Sequence, residues 1–304
     1  MKVLVTGGAG FIGSNIVDLL AEKGYDVVVV DNLVTGKKKN VSKKAKFIKA
    51  DIRSKKLVKV FETERPDAVC HQAAQVCVRK SVEEPDYDAK NNIIGTINLL
   101  QCCVKTGVKK FVYASSGGAR YGEPVNLPCS EEHQIKPLCP YGISKYTAEH
   151  YIRLFCDMNG IDYNIVAYGN VYGPRQDPFG EAGVIAIFMG KIKKGEKCKV
   201  FGDGEQTRDY VYVGDVAEAN LLALEKSTES RNFNIGTGTE TSVNQLFELI
   251  REVMGNGEKE HISAVPGEVR RIFLDCSKAE KELGWKARTG LKEGLKKTAE
   301  WFKD

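Results

Sequence analysis

The chain has no Cys-x-x-Cys pair among its nine cysteines, and only four histidines and two tryptophans in 304 residues. Nor does any apolar run approach the ~18 residues that a membrane span requires. The cysteine count is odd, and Cys102 and Cys103 are neighbours on an expected helix. A disulfide framework and a zinc site are both poor readings of such a pattern. The thiols read instead as reduced and mostly buried, which suits a cytoplasmic protein. Charge of one sign is not in excess: 45 basic against 40 acidic residues leave a formal +5. That surplus is too small to argue for a nucleic-acid partner, and Lys37-Lys38-Lys39 with Lys43-Lys44 reads as a solvated loop. The apolar opening, Met1 to Thr6, is too short for a signal peptide and has no cleavage region. There is no internal repeat and no low-complexity tract. No membrane association is expected.

What is present is an alternation. Short β-branched runs at 2–6, 27–30, 47–50, 68–71, 111–114 and 163–167 are separated by helical patterns at 11–23, 55–62, 86–105 and 144–158. Strands alternating with helices imply βαβ crossovers, hence an α/β fold with a parallel sheet covered on both faces. The unbroken Val27-Val28-Val29-Val30 fits a strand buried on both sides. After Gly169 the texture changes, with Pro174, Pro178, Gly180 and Gly183 marking a loop-rich stretch. Helices are expected at 184–194, 216–226, 243–254 and 291–303, and a short strand at 199–201. The expected division is a first domain over 1–168 and a smaller mixed substrate domain over 169–304, with a segment near 210–236 returning to the first.

The first strand runs directly into Gly7-Gly8-Ala9-Gly10-Phe11-Ile12-Gly13, and a helix follows. Gly7 permits the tight turn, Gly10 lets backbone approach a pyrophosphate, and Gly13 lets the helix sit close to the strand. The helix then presents free N–H groups and a positive dipole end at Phe11, Ile12 and Gly13. Asp31 ends the next strand 18 positions beyond Gly13. A carboxylate there accepts hydrogen bonds from ribose hydroxyls and repels a 2′-phosphate, which favours NAD over NADP. The lysines at 37–39 keep NADP as the alternative. Asp51-Ile52, after the third strand, is placed where an adenine edge would lie, with a strand-end cap as the other reading. The expected cofactor contacts are completed by Asn32 and Ala73.

Tyr141-Gly142-Ile143-Ser144-Lys145 sets a phenol and an ammonium one helical turn apart on one face. A free phenol titrates near ~10, so bringing it to ~7 needs about 4 kcal/mol of preferential phenolate stabilisation. A nearby ammonium and a positive nicotinamide ring are suitable sources. The strand at 111–114 delivers Ser115-Ser116 to the carboxyl edge of the sheet, where ligands of such folds bind. Ser116 can share a substrate proton with the phenol, while Ser115 reads equally well as part of a turn. His71 ends a strand near the cofactor, and packing is the expected role.

Together Gly7-x-x-Gly10-x-x-Gly13, Ser115 to Glu123, Tyr141-x-x-x-Lys145, Asn170-Val171-Tyr172-Gly173-Pro174-Arg175, Gly202-Asp203-Gly204 and Arg208-Asp209-Tyr210-Val211 resemble the extended short-chain dehydrogenase/reductases. Within them the chain most resembles the UDP-glucose 4-epimerases, over essentially its whole length. That resemblance implies a Rossmann-like doubly wound sheet and a 4-epimerisation of a UDP-hexose on tightly held NAD. It implies Tyr141 as the proton acceptor, Ser116 sharing the hydrogen bond and Lys145 holding the phenolate. Asn92, Tyr141 and Lys145 then become nicotinamide-side contacts, and Asn170 and Arg208 hold the diphosphate and nucleotide. A guanidinium fork suits a diphosphate, although Arg208 also reads as a surface ion pair. A homodimer through the helices at 86–105 and 144–158 is implied as well.

There are departures from the family pattern. Val265 stands where an arginine is common, so Arg270 or Arg271 is expected to replace that phosphate contact. Arg120 occupies a place usually small or apolar, and Ala167 one often filled by arginine. Ile272 sits where a bulky aromatic gates sugar size in some relatives, which leaves room for an N-acetylated sugar. Dehydratases carry an acidic pair directly after the hydroxyl residue, whereas Gly117-Gly118-Ala119 offers none. Other nucleotide-sugar reactions, such as a UDP-uronate epimerase or decarboxylase, stay open, as does a non-catalytic NAD sensor. The sensor would have no use for Ser116, Tyr141 and Lys145 together.

Overall fold

The computed structural model describes residues 1–179, 183–264 and 269–303. Seven parallel strands form the central sheet, in the order Asn232–Ile235, Asp162–Tyr168, Lys110–Ser116, Ala68–His71, Lys2–Thr6, Asp26–Asp31, Lys46–Lys49. Alternation along each strand sends successive side chains to opposite faces. Val3, Val5, Val27 and Val29 join one apolar layer with Ile16, Val17 and Leu20. Leu4, Val30, Val69 and Phe111 join the other with Phe61, Leu99, Leu100 and Ile152. Both faces are therefore sealed, as the four consecutive valines require. This is a Rossmann-like doubly wound sheet.

The strand pattern matches the sequence expectation to within two residues at each end. The helix expected at 144–158 begins earlier, at Pro140, and runs to Asn159. Proline at the first helical position needs no N–H partner and starts the helix, so Tyr141 lies in its first turn. The helix expected at 86–105 is interrupted: Pro85–Ala89, a π-turn over Lys90–Ile94, then Gly95–Thr106. The strand Asn232–Ile235 has no counterpart in the sequence reading. Its residues, Asn-Phe-Asn-Ile, are half polar, and Asn234 is fully buried, donating from Nδ2 to the carbonyls of Cys129 at 2.9 Å and Asp275 at 3.2 Å.

Between these strands the helix Val213–Glu225 packs against Phe11–Glu22 on one face of the sheet, carrying Val216, Leu221 and Leu224 into the first layer. The rest of the second half builds its own core. Helices Val184–Lys193, Val243–Met254 and Leu291–Lys303 enclose Phe188, Met189, Leu246, Phe247, Ile250 and Leu295. Ser242 caps the middle helix, accepting from Gln245 N at 3.2 Å while Gln245 Oε1 accepts from Ser242 N at 3.0 Å. Strand Lys259–Ile262, also unforeseen, pairs in parallel with Cys198–Phe201. Among the described residues no helix is long and apolar enough to cross a membrane, and no cluster of histidine, cysteine and acidic side chains is arranged to hold a metal.

Phe233 is fully enclosed in the layer shared by both halves of the sequence. Phe233→Ala is expected to cost about 3–5 kcal/mol of stability, read as a shift in the denaturant midpoint. A loss below about 1 kcal/mol would show that the last strand is not integral to the sheet.

Candidate active site

The strand order reverses between Lys2–Thr6 and Ala68–His71, and a crevice opens at the carboxyl end of such a switch point. There Gly7 turns with φ 68°, and a Cβ on it would lie 2.7 Å from Ala73 N. Gly13 is tighter still, its virtual Cβ only 2.2 Å from the Gly7 carbonyl oxygen. A Cβ on Gly10 would meet that same oxygen at 3.1 Å and no other distant atom within 4 Å, so backbone there is open to close approach. The helix Phe11–Glu22 begins with no side-chain cap and no acid in its first turn. Phe11, Ile12 and Gly13 thus bring the dipole's positive end to the crevice, the setting a pyrophosphate needs.

Asp31 is 7% exposed and accepts from Ala9 N at 3.0 Å and Leu33 N at 2.8 Å, which aims its carboxylate at the glycine loop. Gly36 closes over it, since a Cβ there would stand 2.8 Å from Asp31 Oδ1. Asn32 donates to Asp51 Oδ2 at 3.0 Å, and Arg53 donates to both oxygens of Asp51, at 2.9 Å from Nε and 2.7 Å from Nη2. The guanidinium holds the Asp51 carboxyl well below the usual carboxylate range. Ile52 is buried against Gly95, and its carbonyl accepts from Asn98 Nδ2 at 2.6 Å. Asp51 and Ile52 therefore line the sheet edge through a tied turn. Lys37, one of the lysines that kept NADP open, is paired with Asp177 at 2.6 Å, while Arg175 pairs with Asp18 at 2.5 Å. These two ion pairs clasp the 173–179 segment to the first helix and the basic loop.

Across the crevice, Ser116 ends the strand Lys110–Ser116 and faces the phenol of Tyr141. The helix carrying Tyr141 comes this close because residue 142 is glycine: a Cβ there would lie 2.6 Å from the Ala119 carbonyl oxygen. Its first turn is tied down on three sides. Tyr141 N donates to Ser81 Oγ at 3.1 Å, Ser144 Oγ donates to the Tyr141 carbonyl at 3.0 Å, and Asn92 Nδ2 donates to Ser144 Oγ at 3.0 Å. Asn92 also donates to the Gln75 carbonyl at 3.0 Å and to Asp88 Oδ1 at 3.1 Å, and its Oδ1 accepts from Gln75 N at 2.8 Å. In this arrangement the Asn92 side chain is committed to the protein and ties down the first turn of the helix Pro140–Asn159.

Burial pushes the Tyr141 phenol up to about 12, with the hydrogen bond from Ser116 pulling the other way. Burial brings Lys145 down to about 7, opposed by the carboxylates of Glu149 and Asp88. Lys145 Nζ lies 4.3 Å from the centre of the Tyr113 ring. The sequence argument makes Lys145 the agent that lowers the phenol. In the structure the desolvation of both groups outweighs their spacing of one turn, and Ser116 is the neighbour that acts downward on Tyr141. His71 is neutral: burial lowers it to about 3, and its ring bonds Thr6 Oγ1 at 2.7 Å and Thr96 Oγ1 at 2.9 Å.

The residues expected to hold the substrate come from two short strands and an isolated bridge. Asn170 pairs with Tyr210, and its Oδ1 lies 3.5 Å from a virtual Cβ on Gly118, over the turn after Ser116. Arg208 sits on Thr207–Arg208, its Nη1 donating to the Thr207 carbonyl at 2.7 Å. Arg271 bridges to the adjoining Thr207, and its side chain is paired with Glu240 at 2.5 and 3.0 Å. Arg270 is held by Asp203 at 2.8 Å through both nitrogens. Ile272 is 2% exposed in a small cluster with Tyr121, Cys129 and Leu274. Ala167 is buried in the sheet opposite Ser115. Val265 lies outside the described residues.

A family model for the NAD dependent epimerase/dehydratase family matches residues 3–236. The chain belongs to this family. It is 55% identical over 303 residues to a putative UDP-glucose 4-epimerase of Methanocaldococcus jannaschii, covering 99% of this chain and 98% of the relative. Its structure superposes with a TM-score of 0.97 on a UDP-glucose 4-epimerase of Thermotoga maritima solved with UDP-glucose, at 50% identity over 100% of this chain and 99% of that one. A Thermus thermophilus UDP-glucose 4-epimerase solved with NAD matches at TM-score 0.94 and 43% identity, over 100% and 99% of the two chains. The cofactor of the family is NAD, and the glycine cradle and Asp31 fit it.

Several residues of this family site escape a reading of the sequence. Gly36 and Gly142 matter for close approach, which a local pattern does not announce. Asp209 looks like part of a ligand motif, yet it is 2% exposed and accepts from Thr237 N and Oγ1, both at 2.7 Å, Gly238 N at 3.1 Å and Leu274 N at 3.2 Å. It fastens three loops of the substrate lobe together. Gly13→Ala drives a methyl into the Gly7 carbonyl and is expected to abolish NAD retention: the wild type carries NAD through gel filtration and the variant does not. The measurement is NAD released on denaturation, and an equal yield from both proteins would refute the cradle.

Proposed function

We propose that the protein is an NAD-dependent 4-epimerase of a UDP-hexose, interconverting UDP-glucose and UDP-galactose through a transient 4-keto sugar. The observation that carries this reading is the meeting of Ser116 and Tyr141 at the carboxyl edge of the sheet, with no acid at the positions directly after Ser116. Elimination of water, as in a dehydratase, requires an acid–base pair there, and Gly117 and Gly118 supply no carboxyl group. A Cβ on Gly117 would lie 2.7 Å from Leu274 Cδ1 and 3.2 Å from the Ala167 carbonyl, so a side chain there would have to displace Leu274. The relative solved with UDP-glucose supports the choice of sugar nucleotide.

Bound NAD supplies a hydride acceptor and donor for carbon 4 of the sugar. Tyr141, as phenolate, takes the proton of the 4-hydroxyl and later returns it to the same oxygen. Ser116 shares that hydrogen bond and steadies the oxygen as its charge changes. Lys145, as ammonium, stabilises the phenolate and so acts against the burial that raises it. Asn170, Arg208 and Arg271 hold the diphosphate and nucleotide, which leaves the hexose free to turn. If the keto sugar were gripped by its ring, only one face would ever be reduced.

The chain's outer face supports a homodimer. On the helix Pro140–Asn159 the residues Ile143, Leu154 and Met158 are 51%, 56% and 75% exposed, and Ile94 on the neighbouring helical segment is 54% exposed. The first three recur at helical spacing on one side, a pattern that a second copy would cover. All nine cysteines are free thiols, in keeping with a cytoplasmic protein.

Purified protein without added NAD is expected to interconvert UDP-glucose and UDP-galactose, and Tyr141→Phe to lower turnover at least 100-fold with NAD still bound. Separation of the products, with the N-acetyl forms as parallel substrates, is the assay. Unchanged turnover in the variant removes Tyr141 from the mechanism. Leu154→Glu combined with Met158→Glu is expected to halve the mass seen by light scattering, and a wild type already monomeric would refute the dimer.

A further inference from the structure

Glu149 lies one helical turn beyond Lys145 on the helix Pro140–Asn159. Its side chain has no exposure, and neither has that of Arg120, 3.1 Å away. Glu149 Oε1 accepts from Ser115 Oγ at 2.5 Å and from Arg120 Nη1, and Oε2 accepts from Arg153 Nη2 at 3.3 Å. Arg120 Nη1 also donates to Asn232 Oδ1 at 3.1 Å, and Nη2 to Tyr121 OH at 2.7 Å, while its Nε is buried without a partner.

A buried ion pair is a costly way to fill space, because both charges must leave water, and well-packed apolar residues do the same at no such cost. What the pair has that apolar residues lack is a field, and the nearest titrating group of the reaction is Lys145. The groups packed around Lys145 are few. Asp88 stands on Pro85–Ala89 with Oδ2 buried and unpartnered. His71 and Tyr113 come from the sheet, and Tyr141 and Glu149 from its own helix. His71, Tyr113 and Tyr141 are all shifted toward their neutral forms. The charges that act on Lys145 are therefore Glu149 and Asp88, and Glu149 is the larger of the two.

We propose that Glu149 is a positioning residue for the epimerisation, which keeps Lys145 an ammonium and fixes Ser115, and through it Ser116, against the Tyr141 helix. Arg120 sets how much of the Glu149 charge reaches Lys145. The inference rests on the epimerase reading above.

The sign follows from which charge is left behind. Glu149→Gln leaves the Arg120 cation facing Lys145, so Lys145 loses its proton at lower pH and the basic limb of the turnover profile moves down by about one unit, a tenfold loss on that limb. Arg120→Met leaves Lys145 facing a Glu149 carboxylate that keeps the partly exposed Arg153 but has lost its buried cation, and the limb moves up. The double variant removes both charges and is expected to fall between them. KM for the UDP-sugar stays within about threefold throughout, because the diphosphate anchors are untouched. The test is the pH dependence of kcat and KM for the four proteins, with NAD content and thermal melting checked for each. If Glu149→Gln does not fold, the comparison of Arg120→Met with the double variant still isolates Glu149. Limbs that coincide in folded, NAD-loaded proteins overturn the proposal. A wild type without epimerase activity overturns the underlying reading instead.

Discussion

The site exists because the helix Pro140–Asn159 can lie almost in contact with the turn that follows Ser116. At residue 142 a single added carbon would stand 2.6 Å from the Ala119 carbonyl and 2.9 Å from Pro137 Cβ. With glycine there, the first helical turn brings the Tyr141 phenol up to the Ser116 hydroxyl. The knot of Ser81, Ser144, Asn92, Gln75 and Asp88 then prevents that turn from relaxing away. The same principle operates on the cofactor side, where Gly7 and Gly13 let backbone segments approach more closely than any side chain permits, and Gly36 lets the chain close over the Asp31 carboxylate. Close packing of backbone against backbone sets the distances on which proton transfer depends.

Charge inside this packing is governed by burial. Burial pushes the Tyr141 phenol up and the Lys145 ammonium down, each toward its neutral form. The hydrogen bond from Ser116 opposes the shift at the phenol, and the carboxylates of Glu149 and Asp88 oppose it at the lysine, without reversing either. Farther out, Asp209 binds three loops of the substrate lobe, and Glu240 holds Arg271 beside Thr207 near Arg208. Charged side chains thus either act on the titrating groups of the site or keep the polar loops around it in place.

The clasp of Lys37 with Asp177 and of Arg175 with Asp18 joins elements that are far apart in the chain. It gives Lys37 a partner within the protein. In sequence this lysine is indistinguishable from ordinary solvated surface, because its partner Asp177 is 140 residues away.

The sequence by itself determined the layered α/β sheet, the glycine turn with Asp31, and the placement of Tyr141 and Lys145 one turn apart on one helix. These features rest on local periodicity and fixed spacing, which the chain displays wherever it is cut. It did not disclose the strand Asn232–Ile235, where the buried Asn234 breaks the apolar pattern and is satisfied by the carbonyls of Cys129 and Asp275 and by the Tyr121 hydroxyl. Nor did it reveal that Arg120 is wholly interior, that Asn92 ties down the first turn of the helix Pro140–Asn159, or that burial shifts the lysine and phenol toward their neutral forms. Burial and hydrogen-bond partnership are properties of three-dimensional neighbours. Only the tertiary structure, by bringing residues 115, 120 and 149 into one closed pocket, decided them.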